Sequence, residues 1–112
     1  MALTFEQISQ LNDTKVKEIF VDEWNDSVFV KAMSTIERIK FEEKQKQATT
    51  DMDNIVNLLL FTMCDSGGKL IFAPEQDEIL FNKSPSALVQ IFKNSIELNL
   101  LSDKELEERA KN

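Results

Sequence analysis

Asp51-Met52-Asp53-Asn54-Ile55-Val56-Asn57-Leu58-Leu59-Leu60-Phe61-Thr62-Met63-Cys64 is the stretch on which the fold turns. Its apolar residues, from Met52 and Ile55 through Leu60 to Cys64, fall on nearly every side of a helix. The spacing predicts a helix over 52–64, with Asp51 as its cap, buried on all faces. Ile55 to Cys64 is the densest apolar run, and Asn57 and Thr62 interrupt it. That is the length of a buried helix, not of a membrane span, which needs about 20 apolar residues. The other elements must therefore pack around this segment.

The upstream segments read as helix, hairpin, helix. Thr4 and Gln7 have capping-box spacing, and Phe5, Ile8 and Leu11 recur at helical intervals, so 1–12 is a short terminal amphipathic helix. Val16–Val21 is β-branched and aromatic, and Val28–Val30 follows a turn-rich interval at Glu23-Trp24-Asn25-Asp26. Together they predict an antiparallel hairpin. Ser34 and Glu37 form a second capping box opening a charged helix over 35–47, whose narrow apolar stripe is Ile36 and Ile39 backed by Phe41. Gln47–Thr50 breaks it.

Downstream, Asp65-Ser66-Gly67-Gly68-Lys69 is the strongest turn signal, and Leu70-Ile71-Phe72 reads as the returning strand of a second hairpin. Pro74 opens a short acidic helix, and Pro85 opens a longer amphipathic one through Leu88, Val89, Ile91, Phe92 and Ile96 to about Leu98. Ser102 and Glu105 have capping-box spacing again. Residues 102–112 form a polar tail that frays at its end. The expected fold class is α+β: a mainly helical single domain over 1–112 with two short β-hairpins at its edge.

Composition narrows the chemistry. The chain has 112 residues, 42% hydrophobic and 29% charged, with a formal net charge of −7. That sign opposes binding to nucleic-acid phosphate or anionic lipid, so neither is expected as a partner. There is no His and a single Cys. This excludes an imidazole-activated nucleophile, a His-ligated zinc and an internal disulfide, and it favours a reducing compartment. The N-terminus lacks the basic start and apolar core of a signal peptide.

Motifs that could suggest chemistry have structural readings that weigh more. Gly67-Gly68-Lys69 lacks the first glycine and the final hydroxyl of a phosphate-binding loop, so it is a turn. Asp51 and Asp53 lack the glycine and closing glutamate of a calcium loop. Glu75, Asp77 and Glu78 suit the positive end of a helix dipole. Cys64 has no neighbouring base and reads as a buried inert thiol, and Trp24 packs back on the sheet or serves as a contact anchor. No catalytic group, cofactor or metal site is expected, and the chain is not expected to be an enzyme.

The order of these pieces resembles the tail assembly chaperones of long-tailed double-stranded DNA phages and prophages. The likeness runs from Val16 to Asn112. It includes Val21-Asp22-Glu23-Trp24 before Val28-Phe29-Val30-Lys31, the charged helix from Ser34 to Glu42, and Cys64-Asp65 before Gly67-Gly68-Lys69-Leu70-Ile71-Phe72. It continues through Pro74-Glu75-Gln76-Asp77 and Lys83-Ser84-Pro85-Ser86-Ala87-Leu88 to Leu98-Asn99-Leu100-Leu101.

The resemblance implies a non-enzymatic factor of the host cytoplasm, absent from the mature virion. Such a factor binds the tape measure protein and forms a homo-oligomer. It also implies a longer product made by a minus-one frameshift, for which Ala110-Lys111-Asn112 permits a slippery codon run. The terminal helix packs either on its own core or on a neighbouring subunit, and the strips expected to meet client or copy are Leu3, Phe5, Ile8 and Leu11, together with Trp24, Leu100, Leu101 and Leu106. Two other classes fit the composition: another small morphogenesis protein such as a head–tail connector, and an acidic interaction module that mimics DNA.

Overall fold

The computed structural model describes residues 2–99. The expectations placed on Leu100, Leu101, Leu106, the Ser102–Glu105 capping box and the 102–112 tail lie outside the described residues. In chain order the elements are α1 (Phe5–Gln10), β1 (Val16–Val21), a 3-10 turn (Asp22–Trp24) and β2 (Asp26–Lys31). Then come α2 (Thr35–Gln45), α3 (Asp51–Leu60), β3 (Met63–Cys64), a second 3-10 turn (Pro74–Gln76), α4 (Asp77–Phe81) and α5 (Pro85–Asn99). The fold is α+β, as the sequence implies.

The sheet is antiparallel with strand order β1-β2-β3. β1 and β2 pair from Val16↔Lys31 to Val21↔Asp26, and the hairpin closes on Asn25 at φ +50°, a conformation Asn tolerates better than most residues. Alternation along β1 buries Ile19 and Val21 and leaves Phe20 outside.

α3 is the centre. Every residue from Asn54 to Leu60 is buried, and Val56, Leu58 and Leu59 are fully so. Around them pack Phe41 of α2, Leu80 of α4, Ala87, Leu88 and Ile91 of α5, and the inner face of the hairpin. The Phe41 and Phe61 rings meet edge to face with centroids 6.4 Å apart.

The polar side chains inside this core satisfy one another. Gln45 Nε2 donates to Asn54 Oδ1 (2.6 Å), and Asn57 Nδ2 donates to Gln45 Oε1 (2.9 Å), which ties α2 to α3. Thr62 Oγ1 donates to the Leu58 carbonyl (2.8 Å) and lies 3.1 Å from Ser95 Oγ of α5. Interactions of this kind fix which helix faces meet, because a mismatch would strand buried polar groups.

Four details differ from the sequence reading. Thr50, not Asp51, caps α3: Thr50 Oγ1 accepts from the Asp53 N–H (3.1 Å), and Asp53 Oδ2 accepts from the N–H groups of Thr49 (2.9 Å) and Thr50 (3.2 Å). The reciprocal bonds of a capping box outweigh a lone aspartate one position later. α3 also stops at Leu60. Met63 and Cys64 pair with Val30 and Phe29 as the third strand, so apolar density marked burial but not conformation.

The second hairpin is abbreviated to a bridge between Cys64 and Leu70, because Leu70-Ile71-Phe72 does not continue as a strand. Finally, Ile36 and Ile39 do not join Phe41. On an 11-residue helix they lie across from Phe41 and Gln45, and both are exposed.

Candidate interaction surface

α1 begins on a complete cap. The Thr4 N–H donates to Gln7 Oε1 (2.9 Å), and the Gln7 N–H donates to Thr4 Oγ1 (3.2 Å). Its apolar face has nothing under it among the described residues. None of its six residues is buried, and Phe5 is 84% exposed, with Leu3, Ile8 and Leu11 each more than half exposed. A helix this short does not hold itself together in water by hydrogen bonds alone.

The root of this arm is fixed. The Ala32 N–H donates to the Lys15 carbonyl (2.9 Å). Gly68, at φ +87°, lies so close to Thr14 that an added Cβ would come within 3.2 Å of Thr14 Cγ2. Glycine is needed there both for its backbone angle and for the approach. Leu11 is extended (φ −66°, ψ 135°), so α1 leaves the sheet through an extended step that starts from an anchored point.

Of the residues expected to make contacts, Leu3, Phe5, Ile8 and Leu11 share this arm, while Trp24 is half-buried against the core and separate from it. Sequence reading missed other exposed apolar side chains: Phe20, Ile36, Ile39, Ile71, Ile79 and Phe81. Strand alternation carried the signal for Phe20, since burying Ile19 and Val21 puts it on the other face. Helical angles carried it for Ile36 and Ile39.

The outer face of α5 bounds a shallow open groove of about 560 Å³, lined by Pro85, Ser86, Val89, Gln90, Lys93 and Asn94. It meets the edge of β1: Gln90 Nε2 donates to the Phe20 carbonyl (2.8 Å), and Lys17 Nζ donates to Asn94 Oδ1 (2.8 Å). A smaller polar cleft of about 120 Å³ lies where Lys44, Asp53, Asn57 and Asp77 converge, with Lys44 Nζ 3.5 Å from Asp77 Oδ2.

The ionisable groups are arranged to hold the fold. Lys31 is only 6% exposed, and its Nζ sits 2.9 Å from Glu37 Oε1. Burial pushes the Glu37 carboxyl up. The Ser34 N–H and the Lys31 ammonium outweigh that and hold it below the usual carboxylate range. The Thr49 N–H likewise lowers Asp53, and the Lys69 and Gly67 N–H groups lower Asp65 at the glycine turn. Burial raises the Cys64 thiol, which makes it a poor nucleophile. Among the described residues no three His, Cys, Asp or Glu side chains group as metal ligands, and no helix is long and apolar enough to cross a membrane.

What these features define is an α+β body that presents exposed apolar side chains on its helices and sheet. The same fold is found in the solved structure of the bacteriophage HK97 tail assembly chaperone. The two superpose with a TM-score of 0.59 at 19% sequence identity, over 88% of this chain and 95% of that one. The resemblance seen in the sequence thus has a counterpart in the fold. No family model matches the chain, and no curated protein matches it significantly in sequence.

Proposed function

We propose that this chain is a phage tail assembly chaperone. In this reading it is a non-enzymatic factor that binds the tape measure protein and keeps it soluble in the host cytoplasm during tail assembly. It associates with copies of itself and with a longer frameshifted form, and it is absent from the finished virion. The observation that carries this reading is the bare apolar face of α1, with Phe5 84% exposed, on a body that shares its fold with the HK97 protein. A chaperone for a long helical client needs apolar surface of this kind on an otherwise charged exterior, and a net charge of −7 keeps that exterior soluble.

Co-expression tests the reading. The tape measure protein of the phage or prophage that carries this gene should move from the insoluble to the soluble fraction when residues 1–112 are made with it. The paired change Phe5→Glu and Ile8→Glu should abolish that effect while the circular dichroism spectrum is kept. A tape measure protein equally insoluble with and without this chain would end the proposal.

A further inference from the structure

The exposed face of α1 requires a cover, and the outer groove of α5 has the dimensions and charge to supply one. α1 spans six residues, about 9 Å at 1.5 Å per residue. The groove runs from Pro85 to Asn94, about 15 Å on the same measure, and its exposed lining is mostly apolar.

The charges match as well. Residues 2–13 carry Glu6 and Asp13 and no basic side chain. The groove carries Lys93 in its lining and Lys17 at its rim, and no acid lines it. In a chain of net charge −7, this is a local concentration of positive charge beside apolar surface.

Two other pairings fare worse. Two α1 arms laid face to face set Glu6 and Asp13 of one copy against those of the other, with no basic side chain in residues 2–13 to offset them. The outer edge of β1 carries the backbone of Val16, Glu18 and Phe20, and its Phe20 carbonyl is already taken by Gln90 Nε2. Antiparallel pairing with a second β1 sets Glu18 against Glu18 in one register and Lys17 against Lys17 in the next.

We infer that α1 of one copy docks in the α5 groove of the next, with Phe5 and Ile8 against Val89 and Glu6 beside Lys93. This rests on the self-association part of the reading above and names its surfaces. Arm and groove are different patches, so the contact is head-to-tail and leaves a free arm at one end of any open chain of copies.

The test is a charge swap on the full chain, read by sedimentation velocity. Wild type should associate as concentration rises. Glu6→Lys and Lys93→Glu should each weaken association about tenfold or more, and the double variant should restore it, because like charges facing across an interface are costly and exchanged ones are not.

A second arm mixes two single variants, Ile8→Cys and Val89→Cys, under mild oxidation; the buried Cys64 stays in place. The mixed disulfide between the two chains should exceed either homodisulfide. Association untouched by both single swaps, no rescue in the double, or a dominant homodisulfide would each overturn the inference. A wild type that stays monomeric yet solubilises the tape measure protein would also overturn it, assigning α1 to the client and leaving the chaperone reading intact. Association through this groove without solubilisation would support the inference and end the chaperone reading.

Discussion

α1 and α3 start in the same way and end in opposite circumstances. Each opens on a threonine whose hydroxyl accepts the N–H three residues on, while that residue's side chain reaches back to the threonine N–H. α3 is then buried from Asn54 to Leu60, and α1 buries nothing. A cap says where a helix begins. It does not say whether the helix is stable, since most of that stability comes from the surface it covers. The comparison separates an element completed inside its own chain from one whose apolar face stays exposed.

The largest effect should come from cutting into the completed element. Leu58→Ala in α3 removes a fully buried side chain and should cost about 2–5 kcal/mol of unfolding free energy, whereas Ile8→Ala in α1 should leave it within about 0.5 kcal/mol. Urea denaturation at low protein concentration measures both. Comparable losses at the two sites would mean that α1 belongs to its own core.

An intermediate effect should come from the Lys31–Glu37 pair. Glu37→Gln leaves the nearly buried Lys31 without its counter-charge and should cost about 1–2 kcal/mol at neutral pH, less than for a fully enclosed pair because Glu37 keeps some solvent contact. The folded-state pKa of Glu37 is depressed, so its contribution is present above the ordinary value of 4.5 and is lost as pH falls through the lower folded value. Wild type should therefore lose stability on acidification below about pH 4.5, and Glu37→Gln should lose less over the same range. Parallel pH–stability curves would show that the pair contributes nothing.

The two caps give the smallest and most pointed contrast. Thr50→Ala should lower the unfolding free energy by about 0.5–2 kcal/mol, and Thr4→Ala should leave it unchanged in the dilute monomer. Equal losses would place α1 inside the cooperative unit.

Much of this arrangement was written in local residue patterns. The Ser34–Glu37 and Thr4–Gln7 boxes, the Val16–Val21 strand and the glycine turn all stand where their side-chain chemistry puts them. The central position of α3 followed from apolar residues on every side of it. Its end at Leu60 did not, because Phe61, Thr62, Met63 and Cys64 suit a buried strand as well as a buried helix. Only the free edge of β2, a tertiary fact, decided between them.

Ile36 and Ile39 misled for a related reason. Two apolar residues three apart mark a face, but Phe41 and the buried Gln45 mark the face that α3 claimed. Gln45 is polar and yet a core residue, since its partners Asn54 and Asn57 sit on another helix. The exposure of the α1 face was expected from the resemblance and not from the residue pattern. Its sequence is that of any amphipathic helix, and whether something lies beneath it depends on the whole chain.

Amide hydrogen exchange tests the central claim most directly. With the protein dilute enough to be monomeric, amides of α3 should exchange only on global unfolding, while those of residues 5–10 should exchange nearly as fast as a free peptide. On raising the concentration, or on adding the tape measure protein, residues 5–10 should gain protection while α3 stays as it was. Protection of α1 equal to that of α3 in the dilute monomer, or none gained in either bound state, would contradict the account.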